Sequence, residues 1–121
     1  MTADVVIAED EVAIRDFITS ALNCEGYEVR PADNGREALI YTVTQAPALI
    51  LTDLQMPLMT GWELLDHLRR SGLAVPVVLM SAGCDVRAEA ERHHADGFLS
   101  KPFELEDLLR TVERFVANPC P

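Results

Sequence analysis

Apolar residues along the chain gather into five short runs, and the longer stretches between them carry helical spacing. Residues 4–8, 27–30, 48–52, 75–80 and 97–100 are the strand candidates. Their alternation with helical stretches predicts parallel strands joined by crossover helices, which is an α/β class. Val5-Val6-Ile7-Ala8, Leu49-Ile50-Leu51-Thr52 and Val77-Val78-Leu79-Met80 are apolar on both faces, as strands covered by helices on both sides must be, so they are expected at the centre of the sheet. Tyr27-Glu28-Val29-Arg30 alternates apolar with charged and reads as an edge strand.

Helix starts are legible from capping chemistry. Asn34 with Glu37 and Thr60 with Glu63 both have capping-box spacing. Leu105, Leu108, Leu109, Val112 and Val116 give the last helix an apolar stripe. The stretch 85–94 is different: Arg87, Glu89, Glu91, Arg92, His93 and His94 surround only Val86, Ala88 and Ala90. It is therefore expected to be the most weakly anchored helix, with both histidines solvated. Phe17, Trp62 and Phe115 sit at helical positions and are read as packing residues.

Length and composition narrow the function. A chain of 121 residues, 49% apolar and 25% charged, fits one soluble domain, residues 1–121, with no separate effector domain. No apolar run reaches the roughly 20 residues of a membrane span, and the start lacks a basic leader, so a cytoplasmic location without membrane contact is expected. A formal charge of −10 with no basic cluster argues against direct nucleic-acid binding. Cys24, Cys84 and Cys120 have neither disulfide nor zinc spacing and are read as reduced bystanders.

Ligand sites in open α/β sheets lie beyond the carboxyl ends of the strands, which makes the residues after each strand the informative ones. Glu9 and Asp10 follow the first, Asp53 the third, Ser81 the fourth and Lys101 the fifth. Crowded carboxylates call for protonation or a cation, and an oxygen-only set selects a hard one, here Mg²⁺. Asp10 has a second candidate role as N-cap of the first helix. Lys101 is the sole lysine, and a flexible point charge suits a single phosphoryl oxygen or a carboxylate.

Ile7-Ala8-Glu9-Asp10-Glu11, Asp53-Leu54-Gln55-Met56-Pro57-Leu58-Met59-Thr60-Gly61, Ser81-Ala82 and Lys101-Pro102-Phe103 resemble, in order and spacing over the whole chain, the four signature blocks of response-regulator receiver domains. The resemblance implies a single (βα)5 domain in three layers, with a five-stranded flavodoxin-like sheet of order 2-1-3-4-5. It implies that Asp53 is the phosphoacceptor, becoming a 4-aspartylphosphate. Asp10, Asp53 and the backbone carbonyl of Gln55 would hold Mg²⁺, with Glu9 acting through water. Ser81 and the amides of Leu54 and Ala82 would bind phosphoryl oxygens, and Lys101 would pair with the group across a cis Lys-Pro bond.

Expected partners follow from the same resemblance. They are a sensor histidine kinase or histidine phosphotransfer protein, docking near the first helix and the loop after the fifth strand with Phe17 or Ile14 in contact, and a downstream protein effector. A phosphorylation-dependent homodimer through the fourth helix, fifth strand and fifth helix is a further implied assembly, on the face where Ser81 and Phe98 would act as the switch. The chain departs from the common pattern at Glu9 where Asp is frequent, at Ser81 where Thr is frequent, and at Phe98 where Tyr is frequent. Gly83 leaves room over the phosphoryl group, so dephosphorylation rate is expected to be set there and at Gln55.

Two rival readings remain. A haloacid-dehalogenase-type phosphatase would need an acid two residues after its nucleophile, where this chain has Gln55. An unphosphorylated docking module would not need the acid, hydroxyl and lysine positions that are all present. The activity expected is therefore self-phosphorylation and dephosphorylation only.

Overall fold

The computed structural model describes residues 3–82, 88, 91 and 94–116. Its strands are β1 (Asp4–Ala8), β2 (Glu28–Ala32), β3 (Leu49–Asp53), β4 (Val77–Ser81) and β5 (Gly97–Ser100). Helices α1 (Val12–Cys24), α2 (Gly35–Thr44), α3 (Gly61–Arg70) and a C-terminal helix (Leu105–Phe115) are described around them. All strand pairs are parallel and the order is β2-β1-β3-β4-β5, the α/β topology expected, with the both-faces-apolar strands inside and β2 at an edge.

Strand alternation divides the core in two. Val6, Ala8, Ile50, Val77 and Leu79 pack with Ala38 of α2 and Leu64, Leu65 and Leu68 of α3. Val5, Ile7, Leu49, Leu51, Val78 and Met80 point the other way, toward Ile18 and Leu22 of α1 and Leu108 and Val112 of the C-terminal helix. A period-two strand buried on both faces thus satisfies two helical layers at once. Arg30 ties the edge to the layers: its guanidinium pairs with Asp4 and donates to the carbonyls of Tyr41 and Gln45 at the end of α2.

Several boundaries differ from the sequence expectation for identifiable reasons. β4 begins at Val77 rather than residue 75 because Pro76 has no amide to donate, while the Val77 amide is taken by Asp96 Oδ2 at 2.8 Å. β2 runs on through Pro31 to Ala32, which an edge strand tolerates. The Thr60–Glu63 capping box is complete. At α2 only the Asn34 side chain accepts, from the Glu37 amide at 2.8 Å, while the Glu37 carboxylate bears on Tyr41 and, after burial, helps raise that phenol's pKa. Asp10 is not the cap of α1; Glu11 occupies that position without a side-chain bond.

Leu105, expected in the buried stripe, is the first residue of its helix and is 46% exposed, while Leu108 and Val112 of the same stripe are buried. Phe17 is likewise half exposed, its ring 6.4 Å from that of Phe103. Phe115 lies over Gly97, where a Cβ would sit 3.1 Å from the ring. Cys24 is an exposed free thiol. The stretch 85–94, expected to be the most weakly anchored helix, falls mostly outside the described residues, as do Gly83, Cys84, His93 and Cys120; His94 is exposed in a turn at φ 61°. Among the described residues no helix is long and apolar enough to cross a membrane.

Tyr27 closes the fold: its buried hydroxyl donates to the Val116 carbonyl at 3.3 Å, joining the start of β2 to the chain's far end. Tyr27→Phe should cost about 1 kcal/mol in urea denaturation with an unchanged slope. Burial, then the charges of Glu113 and Glu25, raise this phenol above its ordinary 10.0. The stability that the neutral phenol contributes is therefore present below the unfolded value and lost as pH rises through the folded one. The difference between the two proteins should shrink in that alkaline range.

Candidate functional site

Each candidate side chain is delivered to one rim of the sheet by the end of a strand. Glu9 and Asp10 follow β1. Asp53 and Ser81 are themselves the last residues of β3 and β4, one place earlier in the elements than expected, so their backbones are held in the ladder. Lys101 follows β5, its amide donating to the Ser81 carbonyl at 2.8 Å, and the Lys101–Pro102 bond is cis as the resemblance implied.

Glu9, Asp10 and Asp53 converge so that one carboxylate oxygen from each lies within 4.8 Å of the others. Glu9 is fully buried, Asp53 half-buried and Asp10 exposed, which places the open side of the cluster at Asp10. Lys101 supplies the counter-charge, its Nζ 2.6 Å from Glu9 Oε1 and 3.4 Å from Asp53 Oδ1. Its nearest partner in this state is therefore Glu9. The Leu54 amide likewise points into the site, donating to Asp53 Oδ1 at 2.9 Å.

The electrostatics follow from this crowding. Burial pushes the Glu9 carboxyl above its usual range and the charge of Asp53 adds to that, against the opposing bonds from Lys101 and the Glu11 amide. For Lys101, burial alone would lower the ammonium's pKa. The bond to Glu9 and the charges of Asp53 and Glu9 outweigh it, so the pKa is raised and the group stays cationic at neutral pH. The donor set of Glu9, Asp10 and Asp53 is all oxygen and suits a hard divalent cation such as Mg²⁺.

Ser81 and Phe98 are linked through the sheet. Phe98 pairs with Leu79 across β4 and β5, and Ser81 is two residues beyond Leu79, so all three share one face. Phe98 is partly buried there against the layer holding α2 and α3. Gln55 and Ala82 are exposed at the rim.

Two contributors to the site lie outside the set of strand-end residues. The backbone of Gly61 lies against Asp53, where a Cβ would come within 2.3 Å of the Asp53 carbonyl oxygen, so only glycine allows α3 to start this close to the strand end. The guanidinium of Arg15 reaches back from α1 to the Glu9 carbonyl at 3.0 Å. A pattern of strand-end residues cannot reveal either contact, since both are made to backbone atoms.

Beside the cluster an apolar groove of about 440 Å³ runs between α1 and the loop after β5, lined by Ala13, Ile14, Phe17, Ala82, Lys101 and Phe103 among others. A neighbouring groove of about 310 Å³ continues from Phe17 to Cys24 and Leu109.

Comparison with known proteins agrees with this geometry. The model of the response regulator receiver domain matches residues 5–113. Response regulator MprA of Mycolicibacterium vanbaalenii is 31% identical over 100% of this chain and 53% of its own length, and the regulatory protein AtoC of Escherichia coli is 35% identical over 91% and 24%. The chain thus spans about half of one relative and a quarter of the other. The chemotaxis response regulator CheY4 of Vibrio cholerae superposes with a TM-score of 0.89 at 32% identity, covering 96% of this chain and 100% of that one. The receiver domain of NtrX from Brucella abortus gives 0.85 at 32% identity, with 92% and 96% covered. On the family match, the relatives and the shared sheet order together, the chain belongs to the response regulator receiver domains of two-component signalling systems.

Proposed function

We propose that this receiver is a phosphoacceptor switch in which Asp53 takes a phosphoryl group from the phosphohistidine of a sensor histidine kinase or histidine phosphotransfer protein, in a Mg²⁺-dependent reaction. The observation that carries the reading is the convergence of three carboxylates at the rim, two of them paired with the Lys101 ammonium, with Asp53 held as the last residue of β3. The Asp53 carboxylate forms the bond to phosphorus as the N–P bond of the donor breaks, and the histidine leaves neutral after taking up a proton. Asp10, Asp53 and the Gln55 carbonyl would hold the cation, with Glu9 acting through water. When bound, Mg²⁺ supplies charge neutralisation for the phosphoryl oxygens.

The chain's own groups do the remaining work by positioning and charge. The Leu54 amide, now on Asp53 Oδ1, and the Ala82 amide turn to phosphoryl oxygens. Lys101, shared between Glu9 and Asp53, is drawn to the new oxygens as the charge beside Asp53 grows. The Ser81 hydroxyl binds a phosphoryl oxygen, and the space it vacates on the shared face of β4 and β5 lets the Phe98 ring move inward. The surface around β5 and the C-terminal helix then differs between the two states and is read by a protein effector or a second copy of the chain.

Incubation with acetyl phosphate and Mg²⁺ should label wild type and leave Asp53→Asn unlabelled, because the amide is no nucleophile. Acid-stable or undiminished label in the variant would refute the assignment. The groove beside Lys101 is the expected donor dock. Phe17→Ala should slow transfer from the cognate kinase about tenfold, the scale of a truncated aromatic anchor, while labelling by acetyl phosphate is unchanged. Equal transfer rates would move the dock elsewhere. Ser81→Ala should still take beryllofluoride at Asp53, yet shift the amides of residues 97–100 and of the C-terminal helix far less than wild type does. Equal shifts in both proteins would rule out the Ser81 to Phe98 coupling.

A further inference from the structure

Arg15 lies just inside α1, and its half-buried side chain turns back toward the site, Nη1 donating to the Glu9 carbonyl oxygen at 3.0 Å. That carbonyl and the amide of Asp10 belong to one planar peptide. Fixing the carbonyl therefore fixes the direction in which the chain delivers Asp10. The flanking positions have their own anchors: the Glu9 amide donates to the Ala32 carbonyl at 3.0 Å, and the Glu11 amide to Glu9 Oε2 at 3.2 Å. Neither holds the peptide between Glu9 and Asp10. The N-cap of α1 gives no help, since Glu11 makes no side-chain cap bond.

Asp10 is also the exposed member of the cluster, so burial does little to keep its carboxylate turned inward. A charge-assisted bond from a planar guanidinium is directional enough to set the peptide it meets. We propose that Arg15 is a positioning residue for the acidic cluster, holding the peptide between Glu9 and Asp10 so that the Asp10 carboxylate stays beside those of Glu9 and Asp53. The inference rests on reading that cluster as a divalent-cation site.

The two things an arginine does here have opposite signs, and this makes the proposal testable. As a nearby positive charge, Arg15 opposes the uptake of another cation, so its removal should tighten Mg²⁺ binding. As a positioner its removal should weaken it. Outer contacts that orient metal ligands typically cost ~10–100-fold in affinity when lost; a contact made to the ligand's backbone belongs at the low end, about tenfold.

The test is calorimetric titration of the full chain with Mg²⁺, comparing wild type, Arg15→Ala, Arg15→Lys and Arg70→Ala, with circular dichroism as the check on folding. Arg70 is exposed, paired with Asp66 on α3, and serves as a control for charge removal alone. Arg15→Ala should bind about tenfold more weakly and Arg15→Lys, which keeps the charge but not the fork, about threefold more weakly, with Arg70→Ala unchanged. In the metal-free protein the amide resonances of Asp10 and Glu11 should move in Arg15→Ala, a readout independent of phosphorylation.

Equal or tighter Mg²⁺ binding by a folded Arg15→Ala overturns the proposal and leaves Arg15 as charge only. Should that variant not fold, Arg15→Lys decides, and wild-type affinity there overturns it equally. A folded wild type that takes up no Mg²⁺ overturns the cation-site reading itself, and the positioning role with it.

Discussion

The ion pair between Lys101 and Glu9 is the constraint around which the rest of the molecule is arranged. Glu9 is fully buried, and its carboxylate is one of three within 4.8 Å. In such surroundings an isolated carboxylate would protonate or open the fold. The 2.6 Å contact with Lys101, from a residue 92 positions away, is what makes the cluster tolerable, and it can form only because β1 and β5 end at the same rim. One ammonium among three carboxylates leaves two formal negative charges. A divalent cation would balance that excess. On the proposed reading a phosphoryl group transferred to the Asp53 carboxylate adds about one further formal negative charge, which such a cation would offset.

An arrangement of this kind gives little stability, since desolvating the partners offsets their attraction. The stability lies in the two apolar layers and the sheet between them, and the cluster is carried on that frame. Rigidity at Asp53 and Ser81 comes from their being ladder residues, with Asp53 opposite Met80 and Ser81 opposite Ser100. The close approach of Gly61 to the Asp53 carbonyl adds a second restraint from α3.

The sequence carried most of this information where chemistry repeats with a period or sits at a fixed offset. Apolar runs such as Val77 to Met80 could be placed in a two-faced sheet, and Glu9, Asp53, Ser81 and Lys101 could be assigned to one rim, because strand ends in parallel sheets lie together. What stayed hidden depends on three-dimensional distance. That Lys101 would rest on Glu9 rather than Asp53 is decided by about an ångström of stem placement, which no spacing encodes. Asp10 suits an N-cap by residue type, yet β1 ends at Ala8 as expected and α1 begins only at Val12, which leaves Glu11 in the cap position. Leu105 fits the apolar stripe in period, but as the first residue of the helix it stays exposed while Leu108 and Val112 are buried.

Charge sets the terms on which any phosphoryl donor approaches. A chain of net charge −10 repels an anionic phosphohistidine at long range, and screening limits that repulsion to about 8 Å at physiological ionic strength. Within that distance something other than charge must hold the donor. The surface adjoining Lys101 meets this need, since the groove along Ala13, Ile14, Phe17 and Phe103 is apolar and opens directly onto the ammonium. Apolar contact is indifferent to the sign of the field, so the groove can retain a donor that the acidic surface would otherwise turn away. On the proposed reading the same separation lets a site built from carboxylates accept phosphate, because charge at the rim serves the chemistry while the neighbouring groove serves the encounter.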